Sequence, residues 1–550
     1  MVKPKSYGTR WSRFTVVLWL VFLAGLTLPL LLGLGDAPEV PPTIKPNVGR
    51  FGQLALNSAW VAGIAAAFAL GWAIITAHAL VRGPKRVARF VTPLAVLPVF
   101  VSSPVIAVAS IRLFGPVGVF SKILFGDTHT FPISESIRGV SSLLPTAPLY
   151  SLTGCGLVLA WALSPMALMV CMAGFRSSSP EVEDAATLDA GPFRRFVTVI
   201  LPLLTPLFVL GGALVFLFAF LEFGIPESLR SQPVLVAEIY LQAAVFYNTS
   251  AATLTGLVAL GIVIAPLIVV LRWAGSTHAD DRVQADQAGK LTLLAAAPGL
   301  LLGCLPSLML IASLWLTATG PDGRWELWNT VWETARQEIF KSYLLSAFAS
   351  VLIVFCGFVL ASAFFFIRSK TLLYALLVPP FVVPSTLLAI SLLVLVRLPG
   401  GVIGDSLFHF SQTHGPLVIL WLVRFSPVVA LLLIAHWRQL FNDEMLNAAE
   451  LDSASTWTLL RYFFLPTSAG PVVLSLLMAF ALTMGEVGGA VLLMPPGITN
   501  VSVRLLTLMH YAPDGQVSAL CLILIAPVLL SAFVLAFFPT FATPNKRSKE

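Results

Sequence analysis

Long apolar runs separated by short polar segments make up almost the whole chain. A membrane-spanning helix needs about 20 mostly apolar residues, and twelve runs meet this length. They are Phe14 to Leu34, Ala55 to Val81, Phe90 to Phe114, Gly154 to Phe175, Pro202 to Leu221, Leu254 to Leu271, Leu291 to Leu316, Leu344 to Ile367, Leu372 to Val396, Pro416 to Trp437, Pro466 to Gly485 and Val517 to Phe538. The alternating ten-residue strands of a membrane β-barrel do not occur. The pattern predicts an all-α polytopic membrane protein with about twelve transmembrane helices.

Composition agrees with this pattern. The 550 residues are 57% hydrophobic and 11% charged, whereas a soluble domain carries roughly 25% charged residues. Mean hydropathy is +0.91. These values exclude a soluble enzyme and a nucleic-acid-binding module, and they make the lipid bilayer the first expected partner. The five cysteines all lie in apolar runs without CxxC spacing, so we expect small buried residues there and no metal site.

The distribution of Lys and Arg predicts the orientation. With the N-terminus in the cytoplasm, 21 of the 33 basic residues fall in inner loops, 11 in outer loops and one, Arg424, within a span. Cytoplasmic loops carry the excess of positive charge in membrane proteins, so we expect both termini to be cytoplasmic. The first apolar run is longer than that of a signal peptide and is interpreted as a retained helix.

The chain contains an internal duplication. A polar segment, residues 274–290, follows the sixth run and is predicted to be a cytoplasmic linker between halves 1–273 and 291–550. Three pairs of residues share one offset of 264 positions: Pro202 and Pro466, Glu222 and Glu486, Tyr247 and Tyr511. Because each half has an even number of runs, both halves enter the membrane in the same direction. We expect halves related by rotation about the membrane normal, with a pathway between them.

Each half carries a similar loop between its fourth and fifth runs. Residues 181–202 read EVEDAATLDAGPFRRFVTVILP, and residues 444–466 read EMLNAAELDSASTWTLLRYFFLP. Both predict a short polar helix, a turn, and a basic helix that leads to Pro at the start of the next span, where a missing N–H is tolerated. An alanine pair leaves a low surface that another protein can approach closely. The loops are interpreted as docking elements; the alternative is an ordinary interfacial loop.

These loops resemble the EAA loop of ABC importer permeases, in which Glu-Ala-Ala is followed by Gly and then, about a dozen residues on, by Leu-Pro. The matching residues are Asp184, Ala185, Ala186, Asp189 and Ala190 in the first copy, and Asn447, Ala448, Ala449, Asp452 and Ser453 in the second. Both copies differ from the pattern at the acidic position and at the glycine. The chain as a whole resembles two fused type I permease halves.

The resemblance implies a mechanism and a set of partners. Two copies of an ABC ATPase subunit would bind the coupling helices, residues 181–190 and 444–453, and a soluble substrate-binding protein would deliver cargo from outside. The chain lacks a GxxxxGK[ST] phosphate loop, so we expect no ATP hydrolysis by the chain itself, no catalytic residues, no cofactor and no bound metal. The implied location is the bacterial cytoplasmic (inner) membrane, with multiple passes and both termini inside.

The fused twelve-span form resembles the ferric iron and thiamine branch of these permeases, chiefly over residues 220–252. Ferric iron is therefore the first expectation for the cargo. Thiamine, polyamine, sulfate and phosphonate remain alternatives, because their permeases share much of this segment.

Three ionisable residues inside or at the ends of spans are candidates for a pathway or gate: Glu222, Glu486 and Arg424. Such residues are costly in a membrane and suggest function. Alternatively, the two Glu cap helix ends and Arg424, placed in the outer third of the tenth span, extends toward water. We expect Arg424 to face the bundle interior within ion-pair reach of Glu486 or Glu222, and to hold an outer gate shut rather than bind cargo directly.

Two other classes remain for comparison. An ion-coupled secondary transporter would show interrupted spans with acidic residues near the midplane and would not need two matching docking loops. A membrane enzyme acting on lipid would show an interfacial cluster of catalytic side chains, and no such cluster is visible in the sequence.

Overall fold

The computed structural model describes residues 9–33, 48–115, 118–119, 148–177, 191–229, 233–276, 293–319, 326–367, 369–396, 401–441, 445, 456–495 and 500–537. All regular secondary structure within these ranges is helical, and they contain no β-strand. The predicted all-α class is confirmed.

The described residues of the first half form ten α-helices. They are α1 Thr9–Gly33, α2 Val48–Arg82, α3 Lys85–Val96, α4 Ser103–Phe114, α5 Leu152–Ser177, α6 Pro192–Arg195, α7 Leu201–Phe220, α8 Gly224–Leu229, α9 Leu235–Tyr240 and α10 Thr249–Ser276. Two 3₁₀ turns, Leu97–Phe100 and Pro148–Tyr150, and two π-helical turns, Phe196–Ile200 and Leu241–Val245, connect some of them.

The described residues of the second half form thirteen α-helices. They are α11 Leu293–Thr319, α12 Glu326–Phe364, α13 Lys370–Leu377, α14 Pro379–Val382, α15 Ser385–Val396, α16 Gly401–Ser411, α17 Gly415–Leu440, α18 Thr456–Leu459, α19 Leu465–Thr467, α20 Ala469–Gly485, α21 Ala490–Leu493, α22 Val501–Leu508 and α23 Asp514–Phe537. A π-helical turn, Leu460–Phe464, joins α18 to α19.

Helices occupy all twelve predicted positions, but not all as straight spans. Seven helices in the described ranges are long and apolar enough to cross a membrane, or nine if two sharply bent pairs each count as one span. Shorter apolar helices occupy the first, ninth and twelfth positions. The prediction of a continuous helix is wrong for the third and ninth runs, and the eleventh is bent by 72°.

Proline explains the break in the third run. Helices α3 and α4 meet at an angle of 106°, and Val101 and Ser102 between them have extended backbone. Pro104 lies in the first turn of α4. In a continuous helix it would have no N–H to donate to the carbonyl of Phe100, and its ring would clash with that carbonyl. In the ninth run, Val383 is non-helical directly before Pro384, because the residue before a proline disfavours the α conformation. Hydropathy alone does not register these prolines.

The two halves repeat several unusual local features. The π-helical turns Phe196–Ile200 and Leu460–Phe464 are 264 positions apart. In the first half, Ser58 Oγ on α2 accepts a hydrogen bond of 2.8 Å from the backbone N–H of Leu235. In the second, Ser342 Oγ on α12 accepts one of 3.0 Å from Val501. Each bond fastens the start of a short helix to the long helix of its own half.

The first helix of each half packs against the other half. Trp19 on α1 is buried against α12 and α13, and its indole N–H donates to the carbonyl of Leu376 at 3.0 Å. On α11, the carbonyl of Leu302 accepts from the Trp72 indole at 2.9 Å, and Ser307 Oγ donates to the carbonyl of Leu94. The first helix of each half therefore ties that half to the other one.

Many large apolar side chains remain exposed on the long helices. Leu56 on α2, Leu301 on α11 and Phe355 on α12 are 72%, 71% and 66% exposed. Soluble monomers rarely expose apolar surface on this scale, whereas lipid tails solvate it. This surface fits a protein surrounded by a bilayer.

Candidate functional site

A central cavity of about 160 Å³ lies where elements of both halves meet. The breaks of the third and ninth runs, the C-terminal ends of α7 and α20, and the middles of α5 and α17 form its wall. The side chains from the first half include Phe100, Ser103, Ala162, Phe218 and Glu222, and those from the second include Phe381, Ser385, Arg424, Phe425 and Glu486. All three predicted pathway residues therefore line one space.

Glu222 follows the C-terminus of α7 and binds the neighbouring break. Its Oε1 accepts a hydrogen bond of 2.6 Å from Ser103 Oγ at the start of α4. The same oxygen accepts one of 3.0 Å from the backbone N–H of Gly224, the first residue of α8. The contact with Gly224 is the helix-end capping that the sequence left as an alternative; the contact with Ser103 depends on the sharp bend and was not expected.

Glu486 holds the equivalent position after α20. Its Oε1 accepts a hydrogen bond of 2.9 Å from the backbone N–H of Gly489. Its Oε2 accepts one of 3.2 Å from the backbone N–H of Ala490, the first residue of α21. Its side chain is only 3% exposed. Both acidic residues thus stabilise the start of a short helix while facing the cavity.

Glycines allow these turns to pack closely against the broken spans. A Cβ added at Gly224 would lie 2.7 Å from Ser103 Cβ, and one added at Gly488 would lie 2.7 Å from Ser385 Oγ. Gly224 and Gly488 are 264 positions apart. The same close approach is therefore built into both halves.

Arg424 lies on α17, nine residues after Gly415, which corresponds to roughly 14 Å at 1.5 Å per residue. It is nearer the middle of its helix than the predicted outer third. Its Nη1 is 3.7 Å from Glu486 Oε1, and its guanidinium carbon lies 5.7 Å from the centre of the Phe425 ring. The side chain faces the bundle interior within ion-pair distance of Glu486, as expected.

The guanidinium of Arg424 is poorly satisfied by its surroundings. At 3.7 Å the approach to Glu486 is longer than a hydrogen bond. Its Nε is buried and lacks a hydrogen-bond partner among the described residues. The first half contributes Ala162 to the same wall. Ala162 lies two residues before Ser164-Pro165, as Arg424 lies two residues before Ser426-Pro427, so by this alignment the charge is asymmetric between halves.

Aromatic contacts connect the halves across the cavity. The ring centres of Phe218 on α7 and Phe381 on α14 are 5.2 Å apart, and those of Phe381 and Phe425 are 6.5 Å apart. Such offset contacts stabilise beyond the burial of area alone. The aromatic residues form an apolar wall beside the charged groups.

An ion pair also joins the halves near the predicted outer face. Arg112 Nη1, near the end of α4, lies 2.6 Å from Asp514 Oδ2 at the start of α23. Other ion pairs act within one half: Arg50 with Glu238 at 2.8 Å, and Arg504 with Glu338. These residues do not stand out in the sequence, because pairs distant in sequence carry no local signal.

All ten predicted coupling residues, Asp184, Ala185, Ala186, Asp189, Ala190, Asn447, Ala448, Ala449, Asp452 and Ser453, lie outside the described residues. The π-helical turns that begin at Phe196 and Leu460 follow these two loops. Within the described ranges, no group of three or more His, Cys, Asp and Glu side chains is arranged to hold a metal ion.

Part of the chain matches a known family. Residues 69–279 match the family described as "Binding-protein-dependent transport system inner membrane component". The match covers less than half of the chain. The matched segment contains the first-half wall of the cavity.

Two curated relatives also match, both named "Putative 2-aminoethylphosphonate transport system permease protein PhnV", from Salmonella paratyphi A and Salmonella typhi. Each is 34% identical over 84 residues, which is 15% of this chain. The match spans 32%, about a third, of the length of these relatives. No solved structure gives a significant match to the chain.

Interrupted spans beside acidic residues are the feature expected of an ion-coupled secondary transporter, and the structure has such breaks before Pro104 and Pro384. The first of these breaks lies inside the segment that matches the binding-protein-dependent transport family. Interrupted helices beside Glu222 and Glu486 therefore do not separate the two classes.

Proposed function

We propose that this chain is the transmembrane permease subunit of an ATP-driven importer that moves a small solute across the bacterial cytoplasmic membrane. The observation that supports this most strongly is the family match over residues 69–279 together with a cavity lined by both halves. The two halves, residues 1–273 and 291–550, would lie around an axis along the membrane normal, with both termini in the cytoplasm.

The energy would come from partner proteins. The chain has no GxxxxGK[ST] phosphate loop, so ATP hydrolysis is assigned to two copies of a separate ATPase subunit. The loops centred on Ala185–Ala186 and Ala448–Ala449 would each dock into one ATPase. Closure of the ATPases would then rock the halves against each other, and a soluble binding protein would deliver cargo from outside.

The interlocked helices support such a rocking motion of connected halves. Because α1 packs against α12 and α15, and α11 packs against α2 and α3, neither half can leave the other without losing buried contacts. Motion would instead concentrate where contacts between halves are few and polar, such as Arg112 with Asp514.

For the cargo, the observations favour a small organic phosphonate. The two relatives carry 2-aminoethylphosphonate in their names, and Arg424 offers the planar donor group that binds phosphonate-like oxyanions. The resemblance of residues 220–252 to ferric-type permeases keeps ferric iron as a second candidate, and Glu222 and Glu486 are the carboxylates that such a cation would meet.

The first test is the composition of the purified assembly. The chain is coexpressed with ATPase and binding-protein subunits of the same organism, purified through a tag on the chain, and weighed by native mass spectrometry. We expect two ATPase subunits per chain. Failure of any ATPase to associate with a correctly inserted chain would overturn the proposal.

A matched pair of variants makes this test specific. Ala449→Arg places a bulky charge on the proposed docking surface, whereas Ala449→Ser changes it little. We expect the Arg variant alone to lose ATPase subunits. Equal association of both variants would contradict the assignment of this loop.

A further inference from the structure

The central cavity is lined by two groups of opposite charge that retain unused hydrogen-bonding capacity toward the described residues. The first is Arg424, whose guanidinium donates no hydrogen bond to any described residue and whose Nε is buried. A guanidinium has five N–H donors in a fixed fork, and leaving buried donors unpaired is costly. The described residues therefore supply no acceptor for these N–H donors, and a bound molecule could provide one.

The second group with unused capacity is Glu222. Both hydrogen bonds that the described residues donate to it, from Ser103 and Gly224, go to Oε1. Oε2 receives none from the described residues. The side chain lines the cavity, so this oxygen is available to a donor from within it.

Glu486 differs from Glu222 in this respect. Each of its two oxygens already accepts a backbone N–H, from Gly489 and Ala490. It holds the start of α21 and offsets part of the charge of Arg424, but it has less capacity for a further partner. Among the charged side chains described in the cavity wall, Arg424 and Glu222 are thus the two with free hydrogen-bonding capacity.

We propose that the cavity binds a small zwitterionic solute, with the solute's anionic group on Arg424 and its ammonium group on Glu222. The proposal rests on the proposed function, since it describes the cargo of that permease. A bare anion would leave Oε2 of Glu222 without a donor, and a bare cation would leave the Arg424 guanidinium without a hydrogen-bond acceptor. A zwitterion matches both and adds no net charge to the cavity.

The aromatic wall suits the part of the solute between its charged ends. Phe218 and Phe381, 5.2 Å apart, contribute apolar surface to the same cavity. Short methylene groups would pack against these rings while the charged ends reach Arg424 and Glu222. The volume of about 160 Å³ limits the solute to a small molecule.

Three probes with one carbon skeleton separate the possibilities. 2-Aminoethylphosphonate carries both charges, ethylphosphonate lacks the ammonium group, and ethylamine lacks the phosphonate. Binding to the purified full-length chain in lipid nanodiscs is measured by isothermal titration calorimetry without binding protein, so that the selectivity of the permease alone is read.

We expect 2-aminoethylphosphonate to bind at least about tenfold more tightly than either single-charge probe, since each lost charged hydrogen bond weakens binding by about that factor. Equal binding of ethylphosphonate would contradict the role of Glu222, and equal binding of ethylamine would contradict that of Arg424. Binding of none of the three would overturn the proposal.

Variants with matched controls locate the site. Arg424→Gln and Glu222→Gln should each weaken binding of 2-aminoethylphosphonate at least about tenfold. In Glu222→Gln, the amide oxygen can still accept the hydrogen bonds from Ser103 and Gly224, which preserves the local fold. Arg504→Gln and Glu227→Gln remove the same charges away from the cavity and should bind as the unmodified chain does.

A conservative variant covers the possibility that Arg424→Gln misfolds. Arg424→Lys keeps the positive charge, and it should bind more tightly than the Gln variant but more weakly than the unmodified chain. Full binding by Arg424→Gln, or equal loss in the Arg504 and Glu227 controls, would contradict the assigned site.

ATPase association, measured on the same preparations, separates this inference from the proposed function. A chain that recruits ATPases but shows no preference for the zwitterion disproves the inference and leaves the permease function intact. A chain that recruits no ATPase disproves the permease function itself.

Discussion

Arg112 Nη1 lies 2.6 Å from Asp514 Oδ2, and this ion pair joins α4 of the first half to α23 of the second. The Arg112 side chain is 14% exposed and that of Asp514 61%. An ion pair with such partial exposure contributes up to about 1 kcal/mol. In a permease that rocks its halves apart, the pair would favour the closed outer side.

Removing this pair should loosen the resting state. Arg112→Gln should raise the basal ATPase activity of the reconstituted complex roughly two- to fivefold, the factor that corresponds to about 0.5–1 kcal/mol. The double change Arg112→Asp with Asp514→Arg should restore the low rate. Arg50→Gln breaks a pair within one half and serves as the control. A basal rate that Arg112→Gln leaves unchanged would show that the pair does not hold the outer side closed.

Arg424 provides a second test of the resting state. Arg424→Ala removes both the approach to Glu486 and the contact with the Phe425 ring. If the guanidinium also holds the gate, basal ATPase activity without binding protein should rise roughly two- to fivefold, as for a modest ion pair. An unchanged basal rate would exclude the gating role, while binding of the zwitterion would still report on the cargo role.

The glycines at the two turns should be sensitive to a single methyl group. Gly488→Ala places a Cβ 2.7 Å from Ser385 Oγ, and Gly224→Ala places one 2.7 Å from Ser103 Cβ. Overpacking of this kind costs about 1–3 kcal/mol, so both should lower the melting temperature of the purified chain. Gly63 lies on α2, and a Cβ added there would have no neighbouring atom within 4 Å, so Gly63→Ala is the control. Equal melting temperatures for all three would contradict the close packing.

The docking loops should tolerate small side chains but not large charges. Ala186→Arg and Ala449→Arg should each abolish most ATP-driven transport while the chain still inserts into the membrane. The change at Ala449 is expected to be more damaging, because its loop keeps the family spacing. Membrane insertion is checked by fractionation and transport by uptake into vesicles. Normal uptake by both variants with normal ATPase association would refute the docking assignment.

The all-α class and the positions of the helices could be predicted from the sequence, because a bilayer imposes a minimum length on every apolar run. The cost of a charge in that environment also predicted that Arg424 would turn inward toward Glu486. These predictions need only the properties of the lipid bilayer and the residue types within a single segment of the chain.

Features that depend on the three-dimensional path of the chain were missed. Pro104 and Pro384 carried a local signal for the breaks, but run length and hydropathy do not weigh single prolines. The bond from Ser103 to Glu222 exists only because α3 and α4 meet at a sharp angle. The packing of Trp19 against the other half leaves no signal in the sequence, since one apolar helix face resembles another.

Proteoliposomes that contain the purified complex test the central claim most directly. The solute that copurifies with the binding protein is supplied outside in radiolabelled form, together with that binding protein, and ATP is enclosed inside. We predict accumulation that requires ATP and the binding protein and that persists when ion gradients are dissipated. Accumulation driven by an ion gradient in the absence of ATP would contradict the assignment of this chain as a permease of an ATP-driven importer.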